Sequence, residues 1–316
     1  MKVLSIQSHV VFGYVGNKCA VAPLHILGHE VDSINTVQFS FHTGYGNSSG
    51  SVTSAHEMKE ILNSLVENAL TQRYTHIITG YVKSPECLIE IADFIKITRF
   101  KNPKTKYILD PVIGDNGIMY VDKENIPVYT NSLLKLADII TPNQYEAEWL
   151  SNKKIDKAAD GFDVLKYFFA EYLNLNIAII TSIDEGEYLT LVAGEKSADG
   201  TYLVLMLLGA TIYYKIRMEK YQSSFTGTGD LFVALFSAYL EQYKFLKEAL
   251  EATISVMQFI LQTTEKEGRW LANNDNVELR SLSFKDSRKY LELQIMKAKK
   301  MIENPEMRYR AEILEL

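Results

Sequence analysis

The feature that most constrains the fold is an alternation of two hydrophobic patterns between residues 2 and 181. Short apolar runs typical of buried strands alternate with longer segments whose apolar residues recur at helical spacing. An apolar strand followed by a helix, repeated several times, predicts a parallel, doubly wound sheet covered by helices, which is an α/β fold. The predicted strands are Lys2–Gln7, Val31–Asn35, Thr75–Thr79, Tyr107–Leu109, Ala137–Thr141 and Ile177–Thr181; the predicted helices are Asn17–Leu27, Ala55–Leu70, Glu86–Thr98, Gln144–Leu150 and Phe162–Leu173.

The pattern changes after Ser182. Two strand-like segments, Tyr188–Ala193 and Tyr202–Tyr214, are separated by turn-forming residues, which predicts antiparallel strands at one edge of the sheet. Three helical segments follow, with no Pro-, Gly- or Ser-rich linker and no internal repeat, so residues 1–316 are predicted to form a single domain. The three predicted helices are Leu231–Glu241, Phe245–Thr264 and Phe284–Ile302.

Composition excludes several classes of protein. The net charge of −6 argues against a nucleic-acid partner, and the two cysteines are too few for a disulfide framework or a zinc site. The chain has no apolar run of the ~20 residues that a membrane span needs, and its first residues lack a signal peptide pattern. A cytoplasmic enzyme without a membrane partner is expected.

The segment Ser223–Asp230 places a glycine-rich turn directly before the apolar helical run that starts at Leu231. Such a turn points main-chain N–H groups and the positive end of a helix dipole at one place, which favours binding of a phosphate. A carboxylate beside that place, Asp230, is suited to remove a proton from a hydroxyl that attacks the phosphate. The combination predicts a small-molecule kinase. The alternative is ordinary helix capping, since an acidic residue is favourable in any first helical turn.

Polar residues stand immediately after several predicted strands. In a parallel sheet, ligands bind outside the carboxyl ends of the strands, so these side chains are candidates for one binding crevice. Helix capping by the same residue types is the alternative explanation. The candidates are Ser8, Tyr81, Asp110, Thr141, Asn143, Thr181 and Ser182. A Walker-type phosphate loop and a dinucleotide-binding glycine fingerprint are both absent from the sequence.

Seven segments, in the same order, resemble those of pyridoxal kinases, which belong to the ribokinase-like superfamily. They are Ser8–Asn17, Val37–Tyr45, Thr79–Tyr81, Asp110–Asp115, Met119–Val121, Thr141–Glu148 and Gly227–Asp230. The resemblance covers essentially the whole chain. It implies a ribokinase-like fold, a mostly parallel central sheet with helices on both faces, antiparallel edge strands and a homodimer. It also implies phosphorylation of the 5′-hydroxymethyl group of pyridoxal, pyridoxine or pyridoxamine by ATP, with a divalent cation (Mg²⁺ or Zn²⁺) and a monovalent cation (K⁺ or Na⁺).

The resemblance assigns a role to each candidate residue. Asp230 is the expected base, and Thr226, Gly227, Thr228 and Gly229 are expected to hold the transferred phosphoryl group. The expected substrate contacts are Ser8, Val15, Val37, Phe39, His42, Thr43, Tyr81 and Tyr120. Asp110, Asn143, Thr181 and Ser182 are expected to contact the nucleotide, and the cation ligands are expected to be Asp110, Asp115, Thr141, Glu146 and Thr181. No cysteine lies near Gly227 along the chain, so covalent capture of pyridoxal by a thiol is not expected.

Two other functions remain open on the sequence. A hydroxymethylpyrimidine kinase would share the Gly-x-Gly-Asp motif and the sheet, but it is not expected to carry the segments around Ser8 and His42 together. A vitamin B6 binding protein without catalytic activity would keep the pocket, although the intact Asp230 argues against it.

Overall fold

A computed structural model describes residues 1–196 and 211–314. The strands are β1 Lys2–Val10, β2 Glu30–Phe39, β3 Gly50–Val52, β4 His76–Thr79, β5 Lys106–Leu109, β6 Gly114–Asp115, β7 Ile118–Met119, β8 Ile139–Ile140, β9 Ile177–Asp184, β10 Tyr188–Lys196, β11 Thr211–Glu219 and β12 Glu312–Leu314. The helices are α1 Gly16–Ile26, α2 Ala55–Glu67, α3 Pro85–Lys101, α4 Asn125–Val128, α5 Gln144–Ser151, α6 Ala158–Glu171, α7 Thr228–Tyr243, α8 Leu246–Asn274, α9 Phe284–Ser287 and α10 Lys299–Glu303. The predicted α/β class, with mostly parallel strands and antiparallel edge strands, is confirmed.

The chain divides into two compact units, and each is discontinuous in sequence. The first unit comprises residues 1–53 and 220–308, and the second comprises residues 54–219 and 309–316. The single domain predicted for residues 1–316 stays a prediction.

In the first unit, β1 pairs in parallel with β2, and β2 pairs antiparallel with β3. Helix α7 is apolar on every side, and Leu231 to Tyr239 are all buried, as expected for a helix enclosed by protein. Two of its rings, Phe232 and Phe236, stack with centroids 5.7 Å apart. Helix α7 is therefore a rigid support for the residues at its N-terminus.

In the second unit, β4, β5, β8 and β9 pair in parallel, in that order. From β9 onward, β10, β11 and β12 add antiparallel strands. The short strands β6 and β7 form a separate hairpin in the segment that follows β5. Of the predicted strand Tyr202–Tyr214, the part up to residue 210 lies outside the described residues.

Several strands extend beyond their predicted ends, and two of these extensions include candidate site residues. Strand β1 continues to Val10, so Ser8 lies within the strand and not after it. Strand β9 continues past its predicted end at Thr181 to Asp184, so Ser182 is a strand residue as well. Both extensions begin with a polar residue, Ser8 or Ser182, which carries no apolar signal from which a longer strand could be predicted.

The predicted helix Phe284–Ile302 is wrong. The segment forms only short helical turns, and residues 291–294 have no regular secondary structure. It packs closely on α8, where a Cβ atom on Gly268 would lie 2.5 Å from the carbonyl oxygen of Tyr290, and where Gln294 N–H donates to Thr264 Oγ1 over 3.0 Å. These tertiary contacts outweigh the local helix propensity.

Candidate active site

The N-terminus of α7 has the geometry of an anion-binding site. Gly227 is the N-cap residue and has a φ of 85°, in the left-handed region that glycine adopts without strain. A Cβ atom on it would lie 2.2 Å from the carbonyl oxygen of Tyr14, so no other residue fits there. The first intrahelical hydrogen bond runs from Leu231 N–H to Gly227 C=O over 2.9 Å. The N–H groups of Thr228, Gly229 and Asp230 precede that bond and point out of the helix end.

Asp230 lies in the first turn of α7 and is held by a hydrogen bond from outside the helix. Its Oδ2 accepts from the main-chain N–H of Gly16 over 2.7 Å. Asp230 as a whole residue is half-buried. Burial raises the pKa of Asp230 to about 6, against the opposing effect of the Gly16 N–H. A carboxylate with such a pKa is a suitable general base near neutral pH.

Gly16 connects Asp230 to Ser8. A Cβ atom on Gly16 would lie 2.0 Å from the carbonyl oxygen of Ser8 and 2.4 Å from its Oγ. The structure therefore brings both Ser8 and Asp230 next to the same residue, although 222 positions separate them in the sequence. That Asp230 and Ser8 serve one reaction stays a prediction.

Most of the remaining candidates in the first unit are buried or half-buried. Val15 and Val37 are buried, and Phe39 is half-buried at the end of β2. His42 is buried, whereas Thr43 is exposed at the start of the helical turn Thr43–Tyr45. These residues could present apolar walls and a hydroxyl group to a small aromatic ligand.

Sequence reasoning missed Glu292, Tyr45 and Arg288. Glu292 accepts hydrogen bonds from Tyr14 N–H at 3.0 Å and from the Tyr45 hydroxyl at 2.6 Å, and it lies 3.5 Å from Nε2 of His42. Burial alone would raise the pKa of Glu292, but these hydrogen bonds lower it on balance, so the carboxylate is ionised. No local motif marks Glu292, because its partners lie about 250–280 positions away.

Arg288 comes from the same C-terminal segment. Its guanidinium donates to the hydroxyl of Thr226 and packs against Gly44. Together with five other residues it lines a shallow cleft; the five are His42, Ser224, Thr226, Leu291 and Glu292. The cleft therefore contains one guanidinium, one carboxylate and two hydroxyl groups. One of the hydroxyl groups belongs to Thr226, the residue before Gly227.

A cysteine lies next to Gly227 in space, contrary to the expectation from the linear sequence. The thiol of Cys19 donates to the carbonyl oxygen of Gly227 over 3.4 Å. Cys19 is fully buried, and burial, together with the negative charges of Asp230 and Glu292, raises its pKa well above the ordinary value. A buried, protonated thiol is a poor nucleophile, so the expectation of no covalent capture is unchanged.

In the second unit, Asp110 and Thr141 lie at the ends of adjacent strands and are brought together. Both are buried, and the hydroxyl of Thr141 donates to Asp110 Oδ1 over 3.3 Å. Thr181 lies beside the same turn, because its N–H donates to the carbonyl oxygen of Pro142 over 3.0 Å. Ser182 follows it in β9 and is half-buried.

Asn143 and Glu146 form a capping box at the start of α5. The Asn143 side chain accepts from Glu146 N–H, and Glu146 accepts from Asn143 N–H, each over 2.9 Å. The other oxygen of Glu146 accepts from the N–H groups of Ile113 at 2.9 Å and Gly114 at 3.4 Å. Burial raises the pKa of Glu146 to about 8, although these three N–H groups favour the carboxylate. Both Asn143 and Glu146 therefore cap helix α5, which is the alternative explanation given above for polar residues that follow a strand.

The β6–β7 hairpin carries the other acidic candidate. Asp115 accepts from the N–H of Asn116 at 2.8 Å, and burial raises the pKa of its carboxyl group. After the hairpin, the main-chain oxygen of Tyr120 accepts from the hydroxyl of Tyr81 over 3.4 Å, while the Tyr120 ring is half exposed. The structure thus brings Tyr81 and Tyr120 together.

The predicted cation ligands do not form a protein-only metal centre. Among residues 1–196 and 211–314, no group of three His, Cys, Asp or Glu side chains is arranged to hold a metal ion. Buried oxygen atoms of Asp110, Thr141 and Glu146 suit Mg²⁺ chemically, but such a cation would take much of its coordination from nucleotide phosphates and water. Over the same residues, no helix combines the length and hydrophobicity needed to cross a membrane.

Comparison with known proteins gives one consistent result. Pyridoxal kinase of Bos taurus is 37% identical over 325 aligned positions, covering 99% of this chain and 98% of that protein. Pyridoxal kinase of Arabidopsis thaliana is 36% identical, covering 98% of this chain and 94% of that protein. The chain belongs to the pyridoxal kinase family. Its residues 47–273 also match the family model described as phosphomethylpyrimidine kinase.

Solved structures of pyridoxal kinases agree with this membership. The pyridoxal kinase of Leishmania donovani in complex with ADP and pyridoxine superposes with a TM-score of 0.85 at 28% identity, covering 99% of each chain. The similarity to pyridoxal kinases extends over nearly the whole chain, including segments before residue 47 and after residue 273 that the phosphomethylpyrimidine kinase model does not match. Ser8, His42 and Glu292 all lie in those segments.

Proposed function

We infer that this protein is a pyridoxal kinase, which transfers the γ-phosphoryl group of ATP to the 5′-hydroxymethyl group of pyridoxal, pyridoxine or pyridoxamine. The observation that carries this function is the agreement with pyridoxal kinases over 99% of the chain, at 37% identity to the bovine enzyme. The complexes of the Leishmania donovani relative with ADP, pyridoxine and pyridoxamine support a nucleotide and B6 vitamers as ligands.

In the proposed mechanism Asp230 is the general base. Its carboxylate takes the proton of the 5′-hydroxyl as that oxygen attacks the γ-phosphorus of ATP. The bond between the γ-phosphorus and the oxygen that bridges it to the β-phosphorus breaks, and ADP leaves. The hydrogen bond from Gly16 leaves the other carboxylate oxygen available for this proton. A positioned base of this kind contributes roughly 10²–10⁴ in rate.

The N-terminus of α7 would stabilise the transferred group. The N–H groups of Thr228, Gly229 and Asp230, set in place by the turn at Gly227, would donate to the oxygens of the phosphoryl group as negative charge redistributes. Because the helix is packed into the core, these donors need little reorganisation during the reaction. The hydroxyl of Thr226, one residue before the turn, would contact the same group.

The pyridine ring requires apolar walls and a few polar contacts. We propose that Val15, Val37, Phe39 and Tyr81 form the walls, and that Ser8, His42 and Thr43 contact the ring nitrogen and polar substituents. Tyr120 would lie on the segment that covers the substrate.

Residues of both units are candidates for binding the nucleotide, and the candidate cation ligands belong to the second unit. We propose that Asp110, Asn143, Thr181 and Ser182 contact ATP, with Thr226, Gly227 and Thr228 at its terminal phosphate. Oxygen atoms of Asp110, Asp115 and Glu146 would hold a divalent cation, and those of Thr141 and Thr181 a monovalent one. A bound cation would neutralise the phosphate charge, which an acidic chain otherwise repels.

The deciding experiment is a coupled ADP-release assay with each of the three vitamers and with hydroxymethylpyrimidine, with and without K⁺. Turnover of a vitamer, with little turnover of hydroxymethylpyrimidine, would confirm the function. The second candidate function is a kinase that prefers hydroxymethylpyrimidine to the vitamers, because residues 47–273 match the phosphomethylpyrimidine kinase model. Spectroscopic binding of pyridoxal without ADP release would instead indicate a binding protein.

We also propose that the protein is a cytoplasmic homodimer, as its resemblance to the family implies. Light scattering of the purified protein would measure its mass, and a monomer mass of 35.9 kDa would refute the dimer.

A further inference from the structure

We propose that Glu292 is a positioning residue for the vitamin substrate, which acts by fixing two loops at once. The inference rests on the proposed function, since it assigns substrate contacts to those loops. Loop A is defined as residues 11–15, between β1 and α1, and loop B as residues 40–45, after β2. Glu292 belongs to neither loop, nor to any strand or long helix.

The carboxylate contacts both loops with separate hydrogen bonds. Oε2 accepts from the N–H of Tyr14 in loop A at 3.0 Å. Oε1 accepts from the hydroxyl of Tyr45 in loop B at 2.6 Å and lies 3.5 Å from Nε2 of His42. The ring of His42 also packs on Tyr45, with centroids 4.6 Å apart. One nearly buried carboxylate therefore ties the two loops together.

Loop A leads directly to the proposed base. Tyr14, whose N–H binds Glu292, contributes the carbonyl oxygen against which Gly227 packs. Val15 follows it, and the N–H of Gly16 then donates to Asp230. If Tyr14 shifts, the substrate wall at Val15 and the hydrogen bond to the base shift with it. Small misplacements of this kind are costly in catalysis.

Loop B carries the proposed polar contacts to the ring, at His42 and Thr43. Only Tyr45 and His42 connect the side chains of this loop to Glu292 in the described structure. The ionised state of Glu292 makes these hydrogen bonds charge-assisted and therefore stronger than neutral ones. Without the carboxylate, loop B loses the contacts of Tyr45 and His42 with Glu292, so we expect its conformation to change.

The test compares Glu292→Ala and Glu292→Gln with wild type. Glu292→Ala should raise KM for pyridoxal about tenfold while KM for ATP changes by less than about twofold, because only the vitamin side is disturbed. Glu292→Gln should recover most of the affinity, since its amide oxygen can still accept from Tyr14 N–H. A general loss of folded protein would instead lower kcat and leave both KM values unchanged.

Glu267→Gln is the matched control. Glu267 forms a 2.6 Å ion pair with Lys297 and so attaches the same C-terminal segment to α8 without contacting either loop. Its KM for pyridoxal should stay at the wild-type value. An equal rise in this control, or an unchanged KM in Glu292→Ala, would overturn the proposal. If Glu292→Ala does not fold, Tyr45→Phe removes one of the same hydrogen bonds and should raise KM for pyridoxal in the same selective way.

Hydrogen exchange separates this inference from the proposed function. Peptides that contain Tyr14 and Gly16 should exchange faster in Glu292→Ala than in Glu267→Gln, whatever the substrate is. A wild-type protein that phosphorylates no vitamer would refute the function. Unchanged exchange, in a wild type that is active, would refute the role of Glu292 alone.

Discussion

Asp230 Oδ2 accepts a 2.7 Å hydrogen bond from the main-chain N–H of Gly16, which lies 214 positions earlier in the chain. This bond joins the helix that carries the proposed base to the start of α1. It also gives the carboxylate a fixed orientation, with one oxygen engaged and the other directed elsewhere. The donor is a main-chain group, so the orientation of the carboxylate depends on the position of Gly16, the first residue of α1 after loop A.

We expect Asp230→Asn to bind pyridoxal and ATP nearly as well as wild type but to turn over at least ~100-fold more slowly, because the amide cannot accept the proton. The variant should also be more stable at pH 8. The pKa of Asp230 is raised from 3.8 to about 6, so its contribution to stability is present below pH 3.8 and is lost as the pH rises through 6. Steady-state kinetics and thermal melts measure both effects. Undiminished turnover would refute the role of Asp230 as the base.

The pH dependence should report the same carboxyl group. Because only the ionised form is a base, kcat/KM for pyridoxal should rise as the pH increases through about 6 and level off above it. The residual activity of Asp230→Asn serves as the control, since it should lack this acidic limb while keeping any titration of the substrate. If kcat/KM rises in the same way between acidic and neutral pH in both proteins, the titrating group is not Asp230.

Gly227→Ala should lose both stability and activity. The added Cβ atom would lie 2.2 Å from the carbonyl oxygen of Tyr14, and the φ of 85° is strained for alanine, at roughly 1–2 kcal/mol from the conformation alone. Gly28→Ala is the matched control, because Gly28 has a φ of 78° but no atom within 4 Å of the added methyl group. Chemical unfolding measures the loss of stability in each variant. The difference between the two gives the cost of the steric clash, because the strain from a positive φ is common to both. Equal destabilisation would show that the close approach to Tyr14 contributes nothing.

Glu146→Gln should increase the Mg²⁺ concentration needed for half-maximal activity by about tenfold, because a neutral amide is a weaker ligand for a hard cation. Glu148→Gln is the control on the same helix, where Glu148 binds Lys154 and the N–H of Ile155. Titration of activity with Mg²⁺ at saturating ATP gives the comparison. The same Mg²⁺ requirement in both variants would leave Glu146 with its capping role only.

Local sequence patterns predicted most of the fold because the signals are local. The helices begin close to the predicted residues, as at Ala55 and Gln144, where Ser54 and Asn143 cap the first turn. The glycine turn before α7 likewise follows from a few adjacent residues. Strand ends were less predictable, since β1 and β9 resume main-chain pairing beyond Ser8 and Ser182, at His9 and Ile183, and the polar side chains do not reveal this.

Long-range contacts account for what was missed. The segment around Glu292 has helix-forming residues, but its packing at Gly268 and its hydrogen bonds to Tyr14 and Tyr45 depend on the folded chain. The proximity of Cys19 to Gly227 is equally invisible along the sequence. Residues that act through distant partners leave no pattern in one sequence, whereas residues that follow a strand or begin a helix do.

The first unit is assembled from residues 1–53 and residues 220–308, and residues 54–219, the larger part of the second unit, stand between them in the sequence. During synthesis the opening strands therefore emerge long before Gly227, Asp230 and Glu292 exist to pack against them. The ribosome must release most of the chain before this unit can close, while residues 54–219 can fold earlier. A chain whose translation stops ahead of residue 292 would contain Asp230 but lack the carboxylate that holds Tyr14 and Tyr45.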